Sequence, residues 1–215
     1  MTLTLHSMWA ATAPYRVRIG LAIKGVAFKT IAINLTAGEQ ADPAYAAVNP
    51  LQLIPTLTNG DLVLTQSLAI LEWLEETHPA PPLLPKAPAD RAAVRAMAEI
   101  VACDIHPVNN LRIRRALDAL GHPLGGPQQT AWGARWINDG FAALEPLVAR
   151  HGRGFAFGDI PTIADCCLIP QIWSSARFGV DIAAYPALAA VYANAAVHPA
   201  FIAAHPDHQP DKPSA

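Results

Sequence analysis

The chain has 215 residues, 52% of them hydrophobic and 15% charged, with a formal net charge of −2. That length can bury one large core or two modest ones. With no dense block of Lys and Arg, a nucleic-acid partner is excluded, and no apolar run approaches the ~20 residues that span a bilayer.

In chain order, L-T-L-H-S-M alternates like a strand. A-P-Y-R-V-R-I-G-L-A-I-K-G has helical periodicity and closes on Gly25. A-F-K-T-I-A-I-N-L is β-branched and alternating, a second strand. Strand–helix–strand argues a parallel βαβ unit with a right-handed crossover. I-P-T-L-T-N-G-D-L-V-L has strand character on both sides of Asn59-Gly60, a strong hairpin signal. S-L-A-I-L-E-W-L-E-E then reads as an amphipathic helix, so the order is βαβ–ββα over residues 1–83.

L-L-P-K-A-P-A is Pro-punctuated and reads as a linker. Beyond it, residues 90–208 are Ala-rich and helical. Asp90 is placed to cap a long helix that meets Pro107 and bends or breaks there. H-P-L-G-G-P marks a loop, and W-G-A-R-W-I-N-D-G-F-A-A-L-E-P-L a further helix. Thr162 and Asp165 stand at capping-box spacing ahead of an apolar run. The tail H-P-D-H-Q-P-D-K-P-S-A is polar, with the composition of a frayed end.

The three cysteines, Cys103, Cys166 and Cys167, make no C-x-x-C pair and no disulfide framework. M-T-L-T-L-H-S lacks the regions of a secretory signal. No metal site and a reducing cytoplasm are the expectation.

Two short stretches carry candidate chemistry. In N-P-L-Q-L-I-P-T-L, Pro55 precedes a strand. A cis Ile54–Pro55 bond would leave the backbone of Ile54 free to pair with an extended ligand. An ordinary trans bond is the commoner case, since only about 5–6% of X–Pro bonds in folded proteins are cis. In Q-S-L-A-I, Ser67 opens a helix whose free N–H groups suit a carboxylate, with Gln66 beside it for an amine. Ser67 as a plain N-cap is the alternative.

Taken together, these pieces resemble the glutathione transferase superfamily over nearly the whole chain. The resemblance implies a thioredoxin-like α/β N-terminal domain (1–83), with G-D-I-P-T-I-A-D as the folding signature of an all-α C-terminal domain (90–208). R-V-R-I-G-L-A-I-K-G, N-P-L-Q-L-I-P-T-L, Q-S-L-A-I-L-E-W-L-E-E and D-I-H-P-V-N-N-L-R are similar to the zeta class, and C-D-I-H-P-V-N-N with A-R-F leans to its maleylpyruvate-isomerising type.

The resemblance implies glutathione as cofactor, a small dicarboxylate keto acid as substrate and a homodimer. Ile54, next to Pro55, is assigned to the cysteinyl part of glutathione. Gln66 and Ser67 take the γ-glutamyl end, and Gln52 and Gln40 the glycyl end. Asp104, His106 and Asn110 match polar positions lining the same cleft, Asp104 reaching the partner subunit's glutathione. Arg112 and Arg177 match substrate-binding arginines, which hold carboxylates bidentately. Arg16 and Arg18 lie on the first helix, where one of them can face the cleft. Arg114 and Arg115 read as solvated.

The chain departs from the pattern at Ala10-Ala11-Thr12-Ala13. Ala11 stands at the usual thiol-activating serine, and Ala10 where a basic residue is expected. Thr12 either supplies the missing hydrogen bond to sulfur or only caps the helix. His106 either orients a ligand or is structural. The implied activity is glutathione-dependent cis–trans isomerisation of a maleyl keto acid. The alternatives are a general transferase, dehalogenase or peroxidase, and a glutathione-binding member with little catalysis.

Overall fold

The computed structural model describes residues 2–213, which form two compact units, one of residues 2–83 with 197–213 and one of Leu84–Ala196. In the first unit, strands β1 (Leu3–Ser7), β2 (Phe28–Ala32), β3 (Thr56–Asn59) and β4 (Leu62–Thr65) make one sheet in the order β2-β1-β3-β4. β1 pairs parallel to β2 and antiparallel to β3, and β3–β4 is the hairpin that Asn59-Gly60 signals. Gly60 turns at φ 62°, the left-handed region that favours glycine.

Helix α1 (Thr12–Ile23) crosses between β1 and β2, and Gly25 follows it at φ 64°. α2 (Pro43–Val48) precedes β3, and α3 (Ser67–Thr77) follows β4. Residues 14–21 of α1 are all buried. The reason is two-sided cover, because α1 packs on α3 and also on α9 (Pro199–Ala204). Gly20 permits the first contact, since a Cβ there would collide with Leu71. Residues 197–208, read from sequence as part of the helical half, thus pack with the first unit. A buried Lys24–Glu75 ion pair of 2.6 Å ties the end of α1 to α3. Lys24 also donates to Pro81 O, and Glu75 accepts Leu83 N–H.

In the second unit, α7 (Ile163–Ser175) is the central helix, buried at every residue but Trp173. α4 (Pro88–Glu99) packs on it, α8 (Pro186–Ala196) touches it and packs on α6 (Gly126–His151), and α5 (Leu111–Ala119) buries no residue. The capping box is present. Asp165 Oδ2 accepts the Thr162 N–H and hydroxyl at 2.8 and 2.9 Å, and Oδ1 accepts Ala156 N–H at 2.7 Å. Burial nevertheless pushes the Asp165 carboxyl up to about 6. Cys166 and Cys167 are packed core residues.

Asp90 is not the N-cap of α4. Ala87 is, with Pro88 at the first helical position and Asp90 in the first turn, where its charge suits the helix dipole. No helix among the described residues is long and apolar enough to cross a membrane.

Candidate active site

Three candidate segments leave the sheet at one edge. His6 pairs with Thr56, which pairs with Thr65. The β1–α1 loop, Ile54–Pro55 and Gln66–Ser67 are therefore neighbours at the same end of three adjacent strands.

At the start of α3, Gln66 is the N-cap residue and holds φ 68°, ψ 118°. A non-glycine residue there is strained, a feature that clusters at ligand sites. Ser67 makes no N-cap, because it is the first helical residue. Its nearly buried hydroxyl accepts a hydrogen bond from Arg16 Nη1 at 3.2 Å. Arg16 is itself only 2% exposed. The α3 N–H groups, the Ser67 hydroxyl and this guanidinium form an electropositive cradle suited to a carboxylate.

The loop before β3 is held from within. Asn49 Nδ2 donates to Leu53 O at 2.7 Å and to Thr56 Oγ1 at 3.1 Å. Tyr45 OH donates to Leu53 O at 2.6 Å and lies 2.9 Å from Thr56 Oγ1. These bonds fix the peptide that leads into Ile54, and Ile54–Pro55 is cis. Gln52 sits at φ 55° on the same loop. Gln40, in a short 3₁₀ turn (Glu39–Ala41), has a buried Oε1 with no partner among the described residues, an acceptor that suits a ligand N–H.

At the start of α1, Ala11 occupies the N-cap and makes no side-chain cap bond, and Thr12 is the first helical residue. Thr12 is therefore not the cap. Its hydroxyl and the helix N-terminus stand at the same sheet edge as Ser67 and Ile54. Arg18 does not face a cleft. It is 1% exposed and bonds Ser7 Oγ, Met8 O, Trp9 O and Ala204 O. Burial lowers its guanidinium to about 10, so it stays charged at neutral pH.

In the second unit, α4 runs into a π-helical segment (Ile100–Ile105) that carries Asp104 and Cys103, both exposed, and ends at half-buried His106. The wide turn shows in the bond from His106 N–H to Val101 O at 2.9 Å. Pro107 then breaks the helix, as its missing N–H requires. Gly140 of α6 lets Ile105 approach closely, which seats the segment. Asn110 caps α5, its Oδ1 accepting Arg112 N–H at 3.0 Å. That use commits its carbonyl oxygen and leaves the amide N–H₂ for a ligand.

Arg112 is exposed on the first turn of α5, Arg115 is exposed, and Arg114 has its Nε shielded. Arg177, in the turn Ala176–Phe178 after α7, stacks over Trp173 at 4.3 Å. Desolvation against its surroundings lowers its guanidinium pKa.

Sequence reading missed Asn49, Tyr45 and the buried role of Arg16. Asn49 is part of N-P-L-Q-L-I-P-T-L, but nothing local marks a side chain that bonds a carbonyl four residues on. Arg16 is buried with its guanidinium on Ser67 of α3, 51 residues on, a contact that no local periodicity signals.

Residues 1–76 match the family described as glutathione S-transferase, N-terminal domain, and residues 130–194 match glutathione S-transferase, C-terminal domain. The chain is 45% identical over 212 residues to maleylpyruvate isomerase of a Ralstonia species, covering 96% of this chain and 98% of that one. Among solved structures it is similar to the holo form of a maleylpyruvate isomerase described as a bacterial zeta-class glutathione S-transferase. The TM-score is 0.93 at 43% identity, with 98% and 100% of the two chains covered. It is also similar to a Methylobacterium extorquens maleylacetoacetate isomerase with malonate and glutathione bound, with TM-score 0.92, 37% identity and coverage of 98% and 100%.

Proposed function

The chain belongs to the glutathione S-transferase family, in the zeta-class branch of maleylpyruvate and maleylacetoacetate isomerases, and from that premise we propose that it is a glutathione-dependent cis–trans isomerase of a maleyl keto acid. The observation that carries the reading is the cradle at α3, where Ser67 stands over buried Arg16 at the helix N-terminus. It fits the γ-glutamyl carboxylate, and Gln66 suits the adjacent amine. Ile54 offers its backbone to the cysteinyl part, and Gln52 and Gln40 serve the glycyl end.

When bound, glutathione supplies a thiolate that adds to the cis double bond, permits rotation and leaves again, so it acts as a cofactor. The chain's task is to keep that sulfur ionised. A helix N-terminus lowers a thiol's pKa, and Thr12 can donate a hydrogen bond to the anion. Arg112 and Arg177 hold the substrate carboxylates and the charge that develops beside them. His106, Asp104 and Asn110 orient the ligands. The protein works as a homodimer, Asp104 serving the partner subunit's glutathione, in a reducing cytoplasm.

The test is to follow loss of enol absorbance of maleylpyruvate and of maleylacetoacetate, each with and without glutathione. The reading requires a glutathione-dependent rate on at least one of them. If neither reacts while a halogenated or aryl electrophile does, the general transferase reading replaces it.

A further inference from the structure

The β1–α1 loop is clamped by two opposite charges, one from α1 and one from the far end of the chain. On one side, Arg18 Nη2 donates to Trp9 O at 3.0 Å and Nη1 to Met8 O at 3.4 Å. On the other, Asp211 Oδ2 accepts the Trp9 N–H at 2.7 Å, a contact between residues 202 positions apart. The second oxygen, Asp211 Oδ1, is shielded from solvent and has no partner among the described residues. Desolvating a carboxylate is costly, so this geometry is held by what Oδ2 gains from the loop.

The tail around Asp211 is itself tied down. Lys212 Nζ bonds Asp207 Oδ1 at 2.6 Å and lies 5.9 Å from the Trp9 ring centroid. Arg18 Nε donates to Ala204 O at 3.1 Å, so the same guanidinium grips both the loop and the C-terminal helix.

We infer that Asp211 is a positioning residue for the thiolate site, a C-terminal strap that sets where the start of α1 stands. The inference rests on the use of that helix start to hold the sulfur. Its physical ground is the composition of the loop. Ala10 and Ala11 offer no side-chain donor, so what residues 10–12 themselves can offer the sulfur is backbone N–H groups and the Thr12 hydroxyl. Their direction follows from the path of residues 8–11. Ala11 N–H closes that path onto Met8 O at 3.1 Å, within the clamped segment.

The test compares Asp211→Ala with Asp211→Asn. Both remove the charge, and only alanine removes the acceptor for Trp9 N–H. The thiol of bound glutathione is titrated by its thiolate absorbance, with thermal unfolding measured in parallel. In D211A the ionisation midpoint is expected about one pH unit above that of D211N, equivalent to about tenfold less thiolate below the midpoint. A chain ending at Gln209 is the second variant, should D211A fail to fold, and should show the same shift.

Coincident midpoints in D211A and D211N, or a higher one in D211N, overturn the strap. If wild-type protein binds glutathione without lowering its thiol pKa, the thiolate-site reading fails and the strap with it. A lowered wild-type pKa with coincident variants condemns the strap alone.

Discussion

Replacing Ser67 by alanine tests the carboxylate cradle directly. In the folded protein the Ser67 oxygen accepts from Arg16 Nη1 at 3.2 Å, and this directs its own proton to another acceptor. The γ-glutamyl carboxylate of glutathione is that acceptor in the proposed site. A hydrogen bond to a charged group contributes about 1.5–3 kcal/mol. At 1.4 kcal/mol per tenfold, S67A should therefore weaken glutathione binding by roughly 10- to 150-fold. The variant also removes an acceptor from a guanidinium that is 2% exposed, so a fall in unfolding temperature is expected and must be separated from the binding loss.

Calorimetric titration does this with two ligands, glutathione and an analogue lacking the γ-glutamyl α-carboxylate. S67A should lose affinity for glutathione and keep the wild-type affinity for the analogue. Equal losses for both ligands would mean that the site is merely distorted. An unchanged Kd for glutathione would refute the cradle, and Ser67→Thr should retain most of the binding.

Three further outcomes follow from the same geometry. Thr12→Ala should lower kcat by about tenfold, the size of one hydrogen bond to an anion, with Thr12→Ser retaining the rate and the KM for glutathione little changed; steady-state kinetics on each variant decides it. Arg177→Met should raise KM for the dicarboxylate substrate about tenfold or more while leaving the Kd of glutathione alone, read by initial rates and calorimetry. Asp165 has a folded pKa raised to about 6 from an ordinary 3.8, so the folded state holds its proton more tightly. Its contribution is then fully present below about pH 4 and declines as pH rises through 6. Urea unfolding between pH 4 and 7 should show that slope in wild type and its loss in Asp165→Asn.

The alternating and β-branched runs made the four strands legible, because hydrophobic periodicity and a turn such as Asn59-Gly60 act locally. The Thr162–Asp165 capping box was legible for the same reason. What escaped was long-range. Arg16 and Arg18 read as polar helix residues, and their burial goes with tertiary contacts, with Ser67 of α3 for Arg16 and with Ala204 of α9 for Arg18. The π-helical segment at Ile100–Ile105 has no composition signal, since it answers to Pro107 ahead and to the Ile105–Gly140 contact across the unit. Gln66 was legible as a candidate beside Ser67, but its positive φ was not. Whether Thr12 caps α1 depended on a one-residue boundary, and the structure puts Ala11 at the cap.

The central claim is that glutathione lies along this edge of the sheet with its sulfur at the start of α1. A crystal structure of the complex measures it directly. The sulfur should lie within hydrogen-bonding distance of Thr12 Oγ1 or of the first α1 N–H groups, with the γ-glutamyl carboxylate on Ser67. Glutathione absent at saturating concentration, or bound with its sulfur remote from α1, would contradict the account.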